Sequence, residues 1–600
     1  MNSAYFEDEK YEDVSSRKAF GRLLPLLKPH IKWLLICFGL LAVAKALYVY
    51  APTLIRTAID VDIANADYRG LLITVGLYTL LQGLFLIGNY FFRIRMEIIG
   101  QRVMTLLRKD LFDHILKMAV SFYDRNPVGR LMARVESDTE ALRQMFTNTV
   151  VNIIGTIIQV IGIFIVLLLI SPNLALIVMA FIPIIVIALY IYQRQTTSKW
   201  LLVRKRMADI TATLTEFLQG LQIIQIFDRI KMVRQRMFQA SMNKMRPDFQ
   251  ANMWVIVMFN FIFFMETAII ASVLYFGAKW AGVGSVTIGT LVMFIAYIRQ
   301  LMEPVHLAAE QLAMIQKAVA GAKRIFGLMD THEIVPESVR PVSWPKFREG
   351  IVFENVWFSY TNDDNYALKD ASFTIPRGKQ YALAGVTGGG KSTVINLLLR
   401  FYDPQKGRIV IDGIDLRDIP KDQLREKIGL VLQDIFLFPG NVASNVSLSV
   451  NGADRNKVVD ACKTVAAHQF IERMPEQYET ELSERGGNLS RGERQLLSFA
   501  RALIADPQVL ILDEATSSVD PETERLIQQG LTTLMRGRTS IIIAHRLSTI
   551  INVDKILVIR EGEIIERGKH EELLEKNGYY SKLFKLQFKQ LNGNGVKKAC

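Results

Sequence analysis

Six long apolar runs, separated by polar stretches of very unequal length, occupy the first half of the chain. They lie near residues 33–55, 70–92, 148–170, 173–193, 252–277 and 286–307. A bilayer core is crossed by about 20 residues of helix at 1.5 Å per residue, so each run predicts a membrane-spanning helix. The third and fourth runs are joined by Ser171, Pro172 and Asn173 alone, which predicts a tight turn. The polar stretches 93–147 and 193–250 keep a helical pattern with few breakers, so the helices are expected to continue well below the membrane. Each stretch has a breaking tip: Asp124, Arg125, Asn126, Pro127, Val128 and Gly129 in the first, Gln219 and Gly220 in the second. A short transverse helix at such a tip can dock on a soluble domain; the alternative is a solvated helical hairpin. After residue 325 the pattern changes. Pro336, Pro341 and Pro345 mark a linker, and from about 350 strands alternate with helices, as in an α/β domain. The predicted organisation is a membrane domain over 1–325, a linker over 326–349, an α/β domain over 350–590 and a tail over 591–600.

Charge orients this layout. The chain carries a formal net charge of +13, and half of its 600 residues are hydrophobic. Residues 93–147 hold ten Lys and Arg and 193–250 hold eleven, whereas the other loops hold Arg56, Arg69 and Lys279. The positive-inside rule therefore places both long loops and both termini in the cytoplasm, in a multi-pass protein of the cell membrane. Because the cationic residues flank apolar runs, the charge points to a membrane partner and not to nucleic acid. Cys37, Cys462 and Cys600 are far apart and in no metal-ligand spacing, which excludes a disulfide framework and a zinc site. The first thirty residues are charged and end in the stretch Leu23 to His30. They read as a cytoplasmic start with an interfacial helix around Arg17 to Leu27, and not as a cleavable signal.

Two motifs in the α/β part carry chemistry. Gly385, Val386, Thr387, Gly388, Gly389, Gly390, Lys391 and Ser392 form a phosphate-loop pattern between the strand-like Tyr381 to Ala384 and an apolar helix. Glycines let backbone N–H groups converge on phosphates, and the helix N-terminus adds its dipole. Lys391 is expected to reach the β- and γ-phosphates of ATP, with Gly385, Thr387, Gly388, Gly390 and Thr393 around them, and Ser392 to bind Mg²⁺. Val509 to Leu512 read as a buried parallel strand ending in Asp513 and Glu514. Ligands bind at that end of an α/β sheet. Asp513 suits the Mg²⁺ shell and Glu514 suits polarising the attacking water; a helix cap is the structural alternative for both acids.

With these residues in place, the chain resembles the ABC transporter family over essentially its full length. Leu489, Ser490, Arg491, Gly492 and Glu493 are similar to the family signature LSGGQ, upstream of the Asp513–Glu514 strand as in the family. Gln433 matches the Q-loop glutamine, a further Mg²⁺ ligand and catalytic-site residue. Asp520 matches the D-loop, His545 the switch histidine, and Tyr360 the aromatic that stacks on adenine. Glu484, Arg485 and Gly486 match a segment specific to exporters. Their joint order and spacing are specific where each is weak alone. The resemblance implies a type IV exporter architecture: an all-α six-helix transmembrane domain fused to an α/β P-loop ABC ATPase. It implies a head-to-tail dimer in which Ser490, Gly492 and Glu493 face ATP held by the partner's phosphate loop, with the breaking tips as coupling helices. The implied activity is ATP-driven export of drugs or lipids by alternating access. A lipid flippase is the alternative within the class, and an ATP-gated channel or regulatory membrane protein the rival outside it. Glu514 argues against the latter, since gating by binding needs no water-activating base. A peptide exporter with a protease domain is disfavoured by the short stretch before residue 33.

The signature departs from the family at Arg491 and Glu493. A carboxylate near a triphosphate is unfavourable unless a cation such as Arg491 or Arg494 offsets it. An altered signature beside intact Glu514 and His545 fits one member of a heterodimer, while harmless variation leaves a homodimer open. Lys45 and Glu266 fall mid-span at similar depth. A mid-bilayer charge costs at least about 2.5–3.5 kcal/mol, so each is expected to face the interior, paired with the other or lining a substrate pathway.

Overall fold

The computed structural model describes residues 21–281, 286–361, 363–450, 452–513, 521–543 and 550–592. Of the expected interfacial helix, Arg17 to Phe20 lie outside the described residues, and Leu24–Leu27 form its last turn. Contacts divide the chain into two compact units. One comprises Met1–Leu116 and Val128–Thr331; the other comprises Lys117–Pro127 and His332–Cys600.

The first unit is helical and contains six helices long and apolar enough to cross a membrane. They include α1 (Ile31–Thr57), α2 (Tyr68–Leu116), α4 (Val150–Ile170), α5 (Pro172–Gln219), α7 (Ile230–Ala281) and α8 (Ile288–Met329), with the short α6 (Leu221–Ile226) at the second breaking tip; the short α3 (Val120–Arg125) at the first tip belongs to the second unit. In α2, α5, α7 and α8 the apolar run is only part of a much longer helix, because helix-forming residues continue past the apolar segment. Ser171 is extended and stops α4, and Pro172, which needs no N–H partner there, begins α5. Gly155 and Gly162 lie two turns apart on one face of α4; a Cβ there would stand 3.4 Å from Lys45 and 3.5 Å from Val49, so the glycines set a close approach to α1. Pro52 interrupts the hydrogen bonding of α1. In the disturbed turn, the buried Tyr297 hydroxyl of α8 donates to the Val49 carbonyl at 2.6 Å. At the start of α8, Asp60 accepts from the Gly289 N–H at 2.8 Å, and Thr287 caps Thr290. A carboxylate at a helix N-terminus is favoured by both the dipole and the open N–H groups.

The second unit has a six-stranded sheet in the order β9-β8-β3-β7-β6-β5. These are β3 (Gln380–Ala384), β5 (Ile428–Val431), β6 (Val509–Asp513), β7 (Thr539–Ile543), β8 (Lys555–Arg560) and β9 (Glu563–Gly568). All neighbours are parallel except β8 and β9. Ile541, Ile542, Leu510 and Ile511 are fully buried, as expected for central strands covered on both faces. A second sheet pairs β1 (Gly350–Phe358) with β2 (Leu368–Pro376) and β4 (Lys406–Ile411), all antiparallel. Its inner face, with Phe353 stacked on Phe373, closes one apolar core against β3 and the helix that follows it.

Candidate nucleotide site

The phosphate loop leaves the C-terminal end of β3 and runs into α9 (Lys391–Leu398). Its backbone requires glycine. Gly385 and Gly390 have φ of +153° and +107°, and a Cβ at either would come within 2.1 Å of Ile559 O or 2.6 Å of Ala367 O. Lys391 is buried, and its Nζ lies across the loop, donating to the Gly385 and Val386 carbonyls at 2.9 and 2.8 Å. Burial holds its pKa below the ordinary lysine value, with the charge of Asp513 acting in the opposite sense. A desolvated lysine with weak neutral partners is well placed to exchange them for phosphate oxygens.

The sheet register assembles the remaining groups at one edge. Asp513 sits opposite Ile543, and Val431 opposite Leu512, so Gln433 leaves the same end of the sheet two residues beyond β5. Ser392 is exposed at the start of α9 and Thr393 is buried beneath it. Among the described residues no cluster of three or more His, Cys, Asp or Glu could hold a metal by itself. Magnesium arriving on phosphates needs one or two protein oxygens, a demand that the chemistry of the Ser392 hydroxyl and the Asp513 carboxylate fits. Glu514, Asp520 and His545 lie outside the described residues; by chain continuity Glu514 follows Asp513, and His545 comes two residues after Ile543, the last residue of β7.

Tyr360 follows β1 and is 44% exposed. Its hydroxyl donates to Thr393 Oγ1 at 3.2 Å and accepts from Asn396 at 3.0 Å, which fixes the ring beside the phosphate-loop helix. The signature begins α10 (Arg491–Leu503). Ser490 Oγ accepts from the Glu493 N–H at 3.2 Å, and the Glu493 carboxylate accepts from the Ser490 N–H at 2.8 Å. This is a reciprocal capping box, and the S-x-x-E/Q pattern serves it with either Glu or Gln. The departure at Glu493 therefore has a local structural role that sequence reasoning did not foresee. Gly492 is buried in the first turn.

One piece of the membrane part belongs to this unit: Lys117–Pro127, with α3 at its centre. The Ala119 N–H donates to the Glu333 carbonyl at 2.8 Å, Arg125 pairs with the Glu333 carboxylate, and the Tyr402 hydroxyl donates to Asp124. Phe122 is 1% exposed. The second tip differs: α6 belongs to the other unit, with Ile223, Ile226 and Phe227 all more than 60% exposed.

The mid-membrane charges have partners that the sequence pattern did not reveal. Lys45 donates to Gln159 Oε1 at 2.7 Å, and Gln159, 2% exposed, donates to the Gln300 carbonyl at 3.0 Å. Glu303 lies within electrostatic range of both Lys45 and Tyr48. Glu266 faces Arg299 at 3.9 Å. The structure thus corrects the expected Lys45–Glu266 pair: the two residues belong to separate polar groups. Arg299 and Glu303 escaped notice although both fall inside the sixth apolar run; their spacing of four puts them on one helix face.

Comparison with known proteins supports the family directly. Residues 34–305 match the ABC transporter transmembrane region, and residues 368–517 match the ABC transporter family. The chain is 34% identical over 586 residues to an ATP-dependent lipid A-core flippase of Syntrophus aciditrophicus, covering 97% of this chain and 96% of that protein. It is 36% identical over 530 residues to a probable multidrug resistance ABC transporter ATP-binding/permease protein of Bacillus subtilis, covering 87% and 77%. The solved structure of a bacterial Atm1-family ABC exporter with ATP bound aligns with a TM-score of 0.74 at 26% identity, over 96% of this chain and 99% of that one.

Proposed function

This chain belongs to the ABC transporter family, and we propose that it is one half of a dimeric exporter that moves hydrophobic or amphipathic small molecules, drugs or lipids, out of the cytoplasmic leaflet. The observation that carries this reading is the membership of Lys117–Pro127 in the ATPase unit. A segment held by Ala119, Asp124 and Arg125 on one unit, and continuous in sequence with α2 of the other, transmits ATP-driven motion to membrane helices. Each chain has one phosphate loop and one signature, so two chains complete two ATP sites. The exposed Ile223, Ile226 and Phe227 of α6 suit docking on the second subunit.

In the catalytic cycle, the glycine-lined loop and the N-terminus of α9 receive the triphosphate, and Lys391 exchanges its carbonyl partners for phosphate oxygens. Ser392, Asp513 and Gln433 would hold magnesium, which would offset the charge that develops on the phosphates. Glu514 orients the attacking water and accepts its proton, His545 contacts the γ-phosphate, and Asp520 joins the two sites. Ser490, Gly492 and Glu493 close on the partner's ATP. ATP binding draws the two ATPase units together, and hydrolysis with product release resets them.

Arg491 and Glu493 support a heterodimer, in which this signature serves the weaker of two unequal sites. The capping box favours a second reading, a homodimer in which Glu493 replaces Gln without loss. Lys45 and Glu266 stand in the helices that line the transport path, where Glu266 would read cationic substrates. The decisive experiment is ATP-dependent uptake of a fluorescent dye and of a labelled lipid into inverted vesicles, with this chain alone and with a second half-exporter. Uptake that needs ATP and Lys391 and is lost in Glu514→Gln supports the proposal; ion flux that needs ATP binding but survives Glu514→Gln would favour an ATP-gated channel.

A further inference from the structure

The contact between Asp124 and Tyr402 continues beyond the docking surface into the nucleotide site. Tyr402 packs edge-on against Tyr360, with ring centroids 5.2 Å apart and planes at 87°, and against Phe358 at 5.4 Å and 61°. Phe358 in turn meets Tyr360 edge-on at 4.8 Å. The three rings form one aromatic cluster. Tyr360 is held at its hydroxyl by Thr393 and Asn396, and its exposed face is free to stack. The Tyr402 hydroxyl donates to the Asp124 carboxylate, and burial together with that bond pushes its pKa up. Asp124 is the penultimate residue of α3, whose start and end are both tied to Glu333. One side chain, Tyr402, therefore touches both the base platform and the helix that leads back into the membrane part.

We propose that Tyr402 is a positioning residue that reports occupancy by the base, as distinct from the phosphates, to the coupling segment Lys117–Pro127. The inference rests on the reading of Tyr360 as the base-stacking aromatic. A purine on Tyr360 fixes the tilt of that ring. Edge-to-face neighbours are sensitive to tilt, so the Tyr402 ring settles with it, and its hydroxyl carries the constraint to Asp124. Phosphates bound without a base engage Lys391 and the glycine loop but leave the aromatic cluster as it was. Coupling to transport then depends on the base, and the chain distinguishes nucleoside triphosphates from inorganic polyphosphate at the level of motion as well as affinity.

The test is hydrogen exchange on the full-length dimer in lipid nanodiscs, following residues 117–127 and 385–392. Magnesium AMP-PNP and magnesium tripolyphosphate serve as the probes with and without a base. In the wild-type protein AMP-PNP should slow exchange at 117–127 by at least about threefold, a local stabilisation that this method resolves. Tripolyphosphate should protect 385–392 without that slowing. Tyr402→Phe keeps the ring and removes the hydroxyl; it should retain AMP-PNP protection at 385–392 and lose the response at 117–127. Asp124→Ala should do the same from the other side. A purely anchoring Tyr402 would instead raise exchange at 117–127 equally with and without nucleotide, leaving the difference intact, and that result overturns the proposal. So does a full response in Tyr402→Phe, or a tripolyphosphate response equal to that of AMP-PNP. If AMP-PNP protects neither segment of the wild-type protein, the nucleotide-site reading itself fails, and the relay falls with it.

Discussion

Lys45 in the first membrane helix donates a 2.7 Å hydrogen bond to Gln159 in the third, and Gln159 donates onward to the Gln300 carbonyl in the sixth. Three helices are thereby joined through one buried amide. Gln159→Leu should leave the lysine without its acceptor and lower the melting temperature, while Lys45→Met with Gln159→Leu should recover most of the loss. Polar contacts between membrane helices are worth about 0.6–1.7 kcal/mol, which sets the coupling expected from a double-mutant cycle. Strictly additive losses would show that the two side chains do not act together.

Glu266 is a separate case, because its charged neighbour is Arg299 at 3.9 Å. Glu266→Gln should reduce uptake of cationic dyes several-fold while uptake of neutral substrates and basal ATPase persist. If the residue serves only to hold Arg299, the substitution should lower the melting temperature without changing dye selectivity. Arg299→Gln then distinguishes the two roles: it should enhance cation uptake if Glu266 reads substrate charge.

Glu514→Gln should preserve ATP binding and reduce turnover by about a hundredfold or more, since orienting the attacking water stabilises the transition state and not bound ATP. Turnover within about threefold of wild type, under 1 kcal/mol in barrier height, would remove Glu514 from the role of base.

The signature gives a direct measure of subunit composition. Glu493 and Ser490 cap α10 reciprocally, and Gln supports the same geometry. Glu493→Gln should thus leave thermal stability unchanged. If the carboxylate weakens the site it serves, the chain alone should hydrolyse ATP poorly, and this substitution should raise its rate at least about fivefold, close to 1 kcal/mol. An unchanged rate in an already active homodimer would support equal sites instead.

Cys462 is fully buried, and burial pushes its thiol from an ordinary value near 9.0 up to about 12. Only the thiolate reacts, so at pH 8 its alkylation in the folded protein should be about a thousandfold slower than that of a free thiol. Mass spectrometry after iodoacetamide treatment, with and without denaturant, measures this. Rapid native labelling would mean that the core around Cys462 opens readily.

Local residue patterns determined much of this protein. The six apolar runs are long enough to require membrane helices, and the phosphate loop needs its glycines wherever the chain is placed, because φ of +107° at Gly390 is a backbone property. Asp513 could be located at the end of a parallel strand for the same reason: a run of apolar residues followed by two acids reads one way in an α/β sheet. What tertiary structure decided are partnerships between residues far apart in sequence. Nothing in the spacing of Lys45 and Gln159, separated by 114 positions, indicates their bond. Equal depth in the membrane suggested Glu266 as the partner of Lys45, but depth does not specify which face of a helix a side chain occupies. Glu493 read as an electrostatic liability until its carboxylate was found on the Ser490 N–H. The bond between Asp124 of α3 and Tyr402 joins residues 278 positions apart. Periodicity and composition constrain each element alone, whereas these contacts arise only when packing brings separate elements together.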